Sequence, residues 1–173
     1  MNYAGALAVL LIDIFERRLF MNNLKLEGVR VLPGSFKNFS GAPTKFNPQG
    51  GKRTFNVELD PELAQQLIDE GWNVRLRTPR DEDDEPLHYM EVTCRFDNYP
   101  PNMFMIQGKI RTRLDEDTVG ELDYGRIVEA DLTISPYEWE TATGHGIKAY
   151  LKTGYFIMEE DDWADKYAED KPF

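Results

Sequence analysis

The chain has 173 residues, a formal net charge of −11, one cysteine and two histidines. That length suits one domain with a substantial core. The lone Cys94 excludes a disulfide within the chain, and with His88 and His145 it makes no zinc ligand set of credible spacing, so no metal or cofactor is expected.

Residues 1–20 carry an apolar run, 4–12, interrupted at once by Asp13 and Glu16. The run is far shorter than the ~20 residues of a membrane span. It has neither a basic leader nor an obvious cleavage site, so it is a poor signal peptide. Met21-Asn22-Asn23 reads like a natural beginning, and residues 1–20 are expected to be an N-terminal extension produced by start-codon choice. The body of the protein is then expected over 21–158.

Residues 29–39 read as a first strand, bent near Pro33-Gly34. Residues 40–52 are a loop, marked by Gly41, Pro43, Pro48, Gly50 and Gly51. Residues 53–59 alternate, with Phe55, Val57 and Leu59 on one side. Asp60-Pro61 opens a helix with a capping carboxylate and a first-turn proline; Leu63, Leu67 and Ile68 form its apolar stripe and Gly71 ends it. Residues 72–78 predict a strand with Trp72, Val74 and Leu76 inward. The acidic run 81–85 sits in a hairpin loop. In 87–96, Met90, Val92, Cys94 and Phe96 share one face, and Tyr89, Glu91, Thr93 and Arg95 the other.

Pro100-Pro101 breaks the chain. Residues 102–114 are one strand or two short ones, 115–122 a helical turn, and 127–134 and 146–158 further strands. About seven strands with one or two short helices predict a mainly β protein. An OB-fold-like small closed β-barrel with extra strands fits that count.

The charge is uneven. The run 81–85 (DEDDE) is wholly acidic, and residues 159–173 carry seven acids against two lysines. The cations gather in acid-free stretches: 28–57, 72–80, 98–114 and 141–158. A basic surface can therefore exist on an acidic protein.

Strand alternation sorts these cations onto faces. In the last strand Ile147, Ala149 and Leu151 point one way, and Lys148, Tyr150 and Lys152 the other. Lys109, Arg111 and Arg113 form a second one-sided row, and Arg75 and Arg77 a third. The glycine-rich loop adds Lys37, Phe39, Lys45, Phe46, Lys52 and Arg53, and Tyr137 and Trp139 are further stacking candidates. Unpaired nucleic acid wants this combination: cations follow the phosphates, and ring faces stack bases at ~1–3 kcal/mol each. The plainer alternative is that such rows protect a solvent face or a sheet edge. Phe55, Trp72 and Phe96 follow the inward pattern and read as core.

The segments 38–41 (NFSG), 46–55 (FNPQGGKRTF), 136–139 (PYEW) and 146–152 (GIKAYLK) resemble bacteriophage single-stranded DNA-binding proteins, over residues 24–158. The resemblance implies an OB-fold, binding of unpaired DNA without sequence preference during phage replication or recombination, no catalysis, and a place in the host cytoplasm. Residues 159–173 are expected to form a disordered acidic tail, being too poor in aliphatic side chains to offset their ordering entropy. Glu169, Asp170, Pro172 and Phe173 resemble the acidic, Phe-terminated tails of such proteins, with Lys171 as a departure. That likeness implies recruitment of replication and recombination proteins, and competition with DNA for the basic groove. Pairing of edge strands into a homo-oligomer stays open. Two other classes compete. One is an acidic interaction module, a DNA mimic or inhibitor of a host nuclease. The other is a metal-dependent nuclease using Asp123, Asp131, Glu138 and Lys148.

Overall fold

The computed structural model describes residues 22–160. The expected N-terminal extension 1–20 and the tail residues Glu169, Asp170, Pro172 and Phe173 lie outside the described residues.

The order is β1 (Leu24–Val29), a 3-10 turn (Gly34–Phe36), β2 (Lys37–Asn38), β3 (Thr54–Leu59), α1 (Pro61–Glu70), β4 (Val74–Arg77) and β5 (Leu87–Thr93). There follow β6 (Asn102–Gln107), β7 (Ile110–Leu114), a second 3-10 turn (Val119–Asp123), β8 (Ile127–Thr141) and β9 (Gly144–Met158). The protein is mainly β. The strands form one nine-stranded sheet with the path β1-β8-β9-β5-β3-β2, onto which β4 adds beside β5 and the β6–β7 hairpin beside β9. Two contacts are parallel: residues 92–93 of β5 against 149–150 of β9, and 102–106 of β6 against 153–157 of β9. The long β9 is thus the spine, with β8 on one edge and β5 then β6 along the other.

The helix forms for the reasons its sequence suggests. The Asp60 carboxylate accepts from the Leu63 N–H at 2.9 Å, Pro61 occupies the first turn, and Gly71 at φ 97° closes the last one. Inside the sheet, Phe39 stacks on Phe55 at 5.0 Å, and Phe156 meets both rings edge-on at 5.4 Å. Val57, Met90, Val92 and Ile134 complete this fully buried centre.

Four expectations need correction. Residues 29–39 are not one strand. β1 precedes them, a bulge at Gly28 (φ 60°) lies within it, and the Pro33-Gly34 pair (Gly34 φ 66°) diverts the chain into the 3-10 turn. The sheet is not closed into a barrel. Beyond β1 the chain meets β3 first through an isolated Val31–Val57 bridge, where the Leu32 and Glu58 N–H groups donate at 2.9 Å, and again at the two residue pairs of β2. The next donor toward β3 would be Gly34, but at φ 66° it turns the chain into the 3-10 turn, so the ladder is interrupted there. Leu76, expected inward, is 54% exposed, because β4 is a short strand that pairs, among the described residues, with β5 alone. The strand expected at 127–134 also continues to Thr141 and turns tightly into β9 at Gly144.

Candidate nucleic-acid interface

β9 sets the geometry. Ile147, Ala149, Leu151, Phe156 and Met158 are buried, so the intervening side chains face outward. Lys148 and Lys152 are exposed and Tyr150 is half-buried. Lys148 lies opposite Tyr137 of β8, and the Tyr137 ring meets Tyr150 edge-on at 5.4 Å. Lys152 falls between the pairs Ile134–Leu151 and Thr133–Thr153, in a bulge. The extra residue resets the alternation, and Tyr155 becomes the next outward ring.

The chain leaving β5 adds residues that strand alternation alone did not select. The Arg95 guanidinium sits over the Tyr150 ring at 5.5 Å. It is held from the side by Asp97, with Nε donating to Oδ1 at 3.2 Å and Nη2 to Oδ2 at 2.9 Å. The Arg95 hydrogen bonds keep the Asp97 carboxyl below its usual range. Tyr99 is almost fully exposed. Arg95, Asp97, Asn98, Tyr99, Tyr150 and Lys152 line a cleft of about 430 Å³.

A second unit lies further along the same side. Phe104 of β6 is in register with Tyr155, and their rings stack at 5.0 Å and 13°. Arg111 of β7 sits over Phe104 at 5.1 Å. Arg113 is opposite Phe104 and donates to the Asn102 side chain at 3.1 Å; Lys109 is exposed in the hairpin turn. At the other end, Arg75 pairs in register with Tyr89 of β5, and Arg77 with Leu87, both arginines exposed. The pairings β4–β5–β9–β6–β7 therefore put Arg75, Lys148, Tyr150 and Arg111 on the outward side of one sheet. Tyr99, Phe104 and Tyr155 were not among the residues that strand alternation selected. For Phe104 and Tyr155 the signal is their alternation with buried Met103 and Phe156, and for Tyr155 it is readable only once the bulge is known.

The loop carries its candidates differently. Lys45 and Phe46 stand at its tip, with Phe46 94% exposed. Below them Thr44 and Asn47 exchange backbone hydrogen bonds, and the Gly51 N–H reaches the Gly41 carbonyl at 2.7 Å. A Cβ on Gly50 would stand 2.8 Å from that same carbonyl oxygen, so only glycine fits. The Asp123 carboxylate fixes the base of the loop by accepting from the Phe39 and Ser40 N–H groups, each at 2.8 Å.

Several candidates serve the scaffold. Phe39 is wholly buried in the core, so its ring has no free face for a base. Lys37 donates to the Leu122 and Gly125 carbonyls at 2.9 and 2.7 Å, and burial lowers its pKa. Arg53 is mostly buried over Phe96 and paired with Glu116; Lys52 is paired with Glu91 at 3.1 Å. Trp139 lies across from Gly146, whose missing side chain leaves room for the indole: a Cβ there would stand 3.0 Å from Nε1. Asp131 accepts from the Gly28 N–H, and, among the described residues, no three His, Cys, Asp or Glu side chains are grouped to hold a metal. Cys94 is buried and its thiol pushed up to about 12. No described helix is long and apolar enough to cross a membrane.

A family profile described as "Putative phage ssDNA-binding domain" matches residues 15–173. The chain belongs to that family. Among solved structures it is similar to the single-stranded DNA-binding protein from bacteriophage Enc34 in complex with ssDNA. That match has a TM-score of 0.53 and 16% identity, over 83% of this chain and 89% of that one. A C-terminal truncation of the Enc34 protein gives 0.54 at 16% identity, over 89% and 90%. At such identity the likeness carries the fold. No curated protein sequence matches the chain.

Proposed function

We propose that this phage-family domain binds single-stranded DNA without reading sequence, along the outward side of β9. The carrying observation is the alternation of rings and cations on one sheet: Tyr137, Tyr150, Phe104 and Tyr155 among Lys148, Arg95, Lys152 and Arg111. Rings take the bases, cations track the phosphates, and neither distinguishes one base from another strongly. Phe46 and Lys45, at the tip of a braced loop, reach toward the strand, and Arg75, Arg77, Lys109 and Arg113 extend the basic track. Lys52 and Arg53 contribute after exchanging their carboxylate partners for phosphate. The Enc34 protein, named as crystallised with ssDNA, supports this reading. The domain acts by coating exposed strands in replication or recombination in the host cytoplasm, and residues 159–173 recruit partner proteins through Glu169, Asp170, Pro172 and Phe173. Its work is binding, with no reaction of its own.

Fluorescence titration with oligo(dT) at two salt concentrations tests this. Tyr and Trp emission should be quenched at low salt. Lys148→Glu with Lys152→Glu should weaken binding at least tenfold and flatten the salt slope by roughly 1.4, about 0.7 for each lost phosphate contact on a single strand. Absence of quenching at low salt, or a double variant that binds like wild type, would overturn it.

A further inference from the structure

The cleft at Arg95 is asymmetric in a way that DNA binding alone does not require. Asp97 occupies the side of the guanidinium fork formed by Nε and Nη2, at 3.2 and 2.9 Å, with the two-point geometry a phosphate would use. The carboxylate lines the same cleft as Tyr99 and Lys152, so its charge lies where the strand's phosphate would pass. The Tyr150 ring already supports the guanidinium, and Arg111 rests over Phe104 with no carboxylate paired to it among the described residues. The Asp97 side chain is 63% exposed, so water can solvate it once released.

We infer that Asp97 is an internal competitor for the phosphate at Arg95, occupying the guanidinium fork until a nucleotide displaces it. This rests on the single-stranded DNA reading of the same face. In the bound state the Arg95 fork and Lys152 hold one phosphate, and the attached base lies between Tyr99 and Tyr150. The competitor lowers affinity at this one step and lets bound strand leave the cleft without a change elsewhere in the sheet.

The test is a double-mutant cycle with the full chain and fluorescein-labelled oligo(dT), read by anisotropy at low salt. Asp97→Asn should bind about two- to fivefold tighter, the scale of one exposed ion pair. In an Arg95→Ala background the same substitution should change nothing beyond twofold. Weaker or unchanged binding by Asp97→Asn would overturn the inference, because the carboxylate would then position Arg95 or be idle. An equal gain with and without Arg95 would overturn it too, by reducing the effect to general charge. If the wild-type chain itself fails to bind oligo(dT), the parent reading falls first, and the two failures are told apart.

Discussion

Two ring-and-cation units share the outward side of β9, and they differ in how the guanidinium is held. At the first, Arg95 lies over Tyr150 at 5.5 Å and is gripped by Asp97. At the second, Arg111 lies over Phe104 at 5.1 Å, Phe104 is stacked on Tyr155, and no described carboxylate is paired with the guanidinium. Among the described residues, Arg113 nearby is tied to the neutral Asn102 amide. A guanidinium over a ring is therefore a stable arrangement by itself, worth about 0.5–1 kcal/mol at an exposed site. The carboxylate at the first unit is an addition. On the proposed reading, one end of the face is open to phosphate and the other only by exchange.

The comparison assumes that both ends ride on one scaffold, and Phe156 tests that assumption with the largest effect. Its ring is fully buried beneath β9 and touches Phe39 and Phe55 edge-on. Phe156→Ala should cost about 3–5 kcal/mol of folding stability, measured by urea denaturation, and both ends should lose DNA binding at the same denaturant concentration. Separate transitions would mean that the units sit on independently stable pieces. A smaller effect separates the ends themselves. Arg111→Ala should flatten the salt dependence of oligo(dT) binding by about 0.7, the share of one phosphate contact on a single strand. Arg95→Ala should flatten it less, because displacing Asp97 re-exposes a charge that takes up a cation. Equal changes would erase the distinction between the units.

How much of this was readable beforehand depends on the neighbours each residue needed. The outward placement of Lys148 and Tyr150 followed from period-two alternation against Ile147, Ala149 and Leu151, and the sheet bears that alternation out. The helix ends at Asp60 and Gly71 were equally local. Phe39 was misread because a loop phenylalanine gives no sign of its burial; its partners Phe55 and Phe156 are 16 and 117 positions away by residue number, and only folding brings them within 5.0 and 5.4 Å. Lys37 was misread for the same reason: the carbonyls of Leu122 and Gly125 that claim it belong to a distant turn. Tyr155 was hidden by the Lys152 bulge, which exists only in the register between β8 and β9. The closed barrel was not met because the chain turns away at Gly34, φ 66°, between the Val31–Val57 bridge and β2.

The smallest expected effect is also the most direct view of the exchange. In the free protein the Arg95 hydrogen bonds hold the Asp97 carboxyl below its ordinary value of 3.8. A carboxyl depressed by folding contributes stability above 3.8, and that contribution fades as pH falls through the lower folded value. If a phosphate takes Arg95, the depression loses its largest cause, so in the oligo(dT) complex the Asp97 titration should move up toward 3.8. Thymine has no group that titrates in that range, so the shift belongs to the protein. Asp115 supplies the internal control. Its carboxyl is also depressed, but by the Thr118 hydroxyl and by backbone N–H groups that no phosphate would displace. Carboxyl-carbon NMR titration of the free and bound protein should therefore show Asp97 rising while Asp115 stays in place. If both move together, the cause is the field of the bound polyanion. If neither moves, Arg95 keeps its carboxylate when DNA is present, and the two ends of the face work alike.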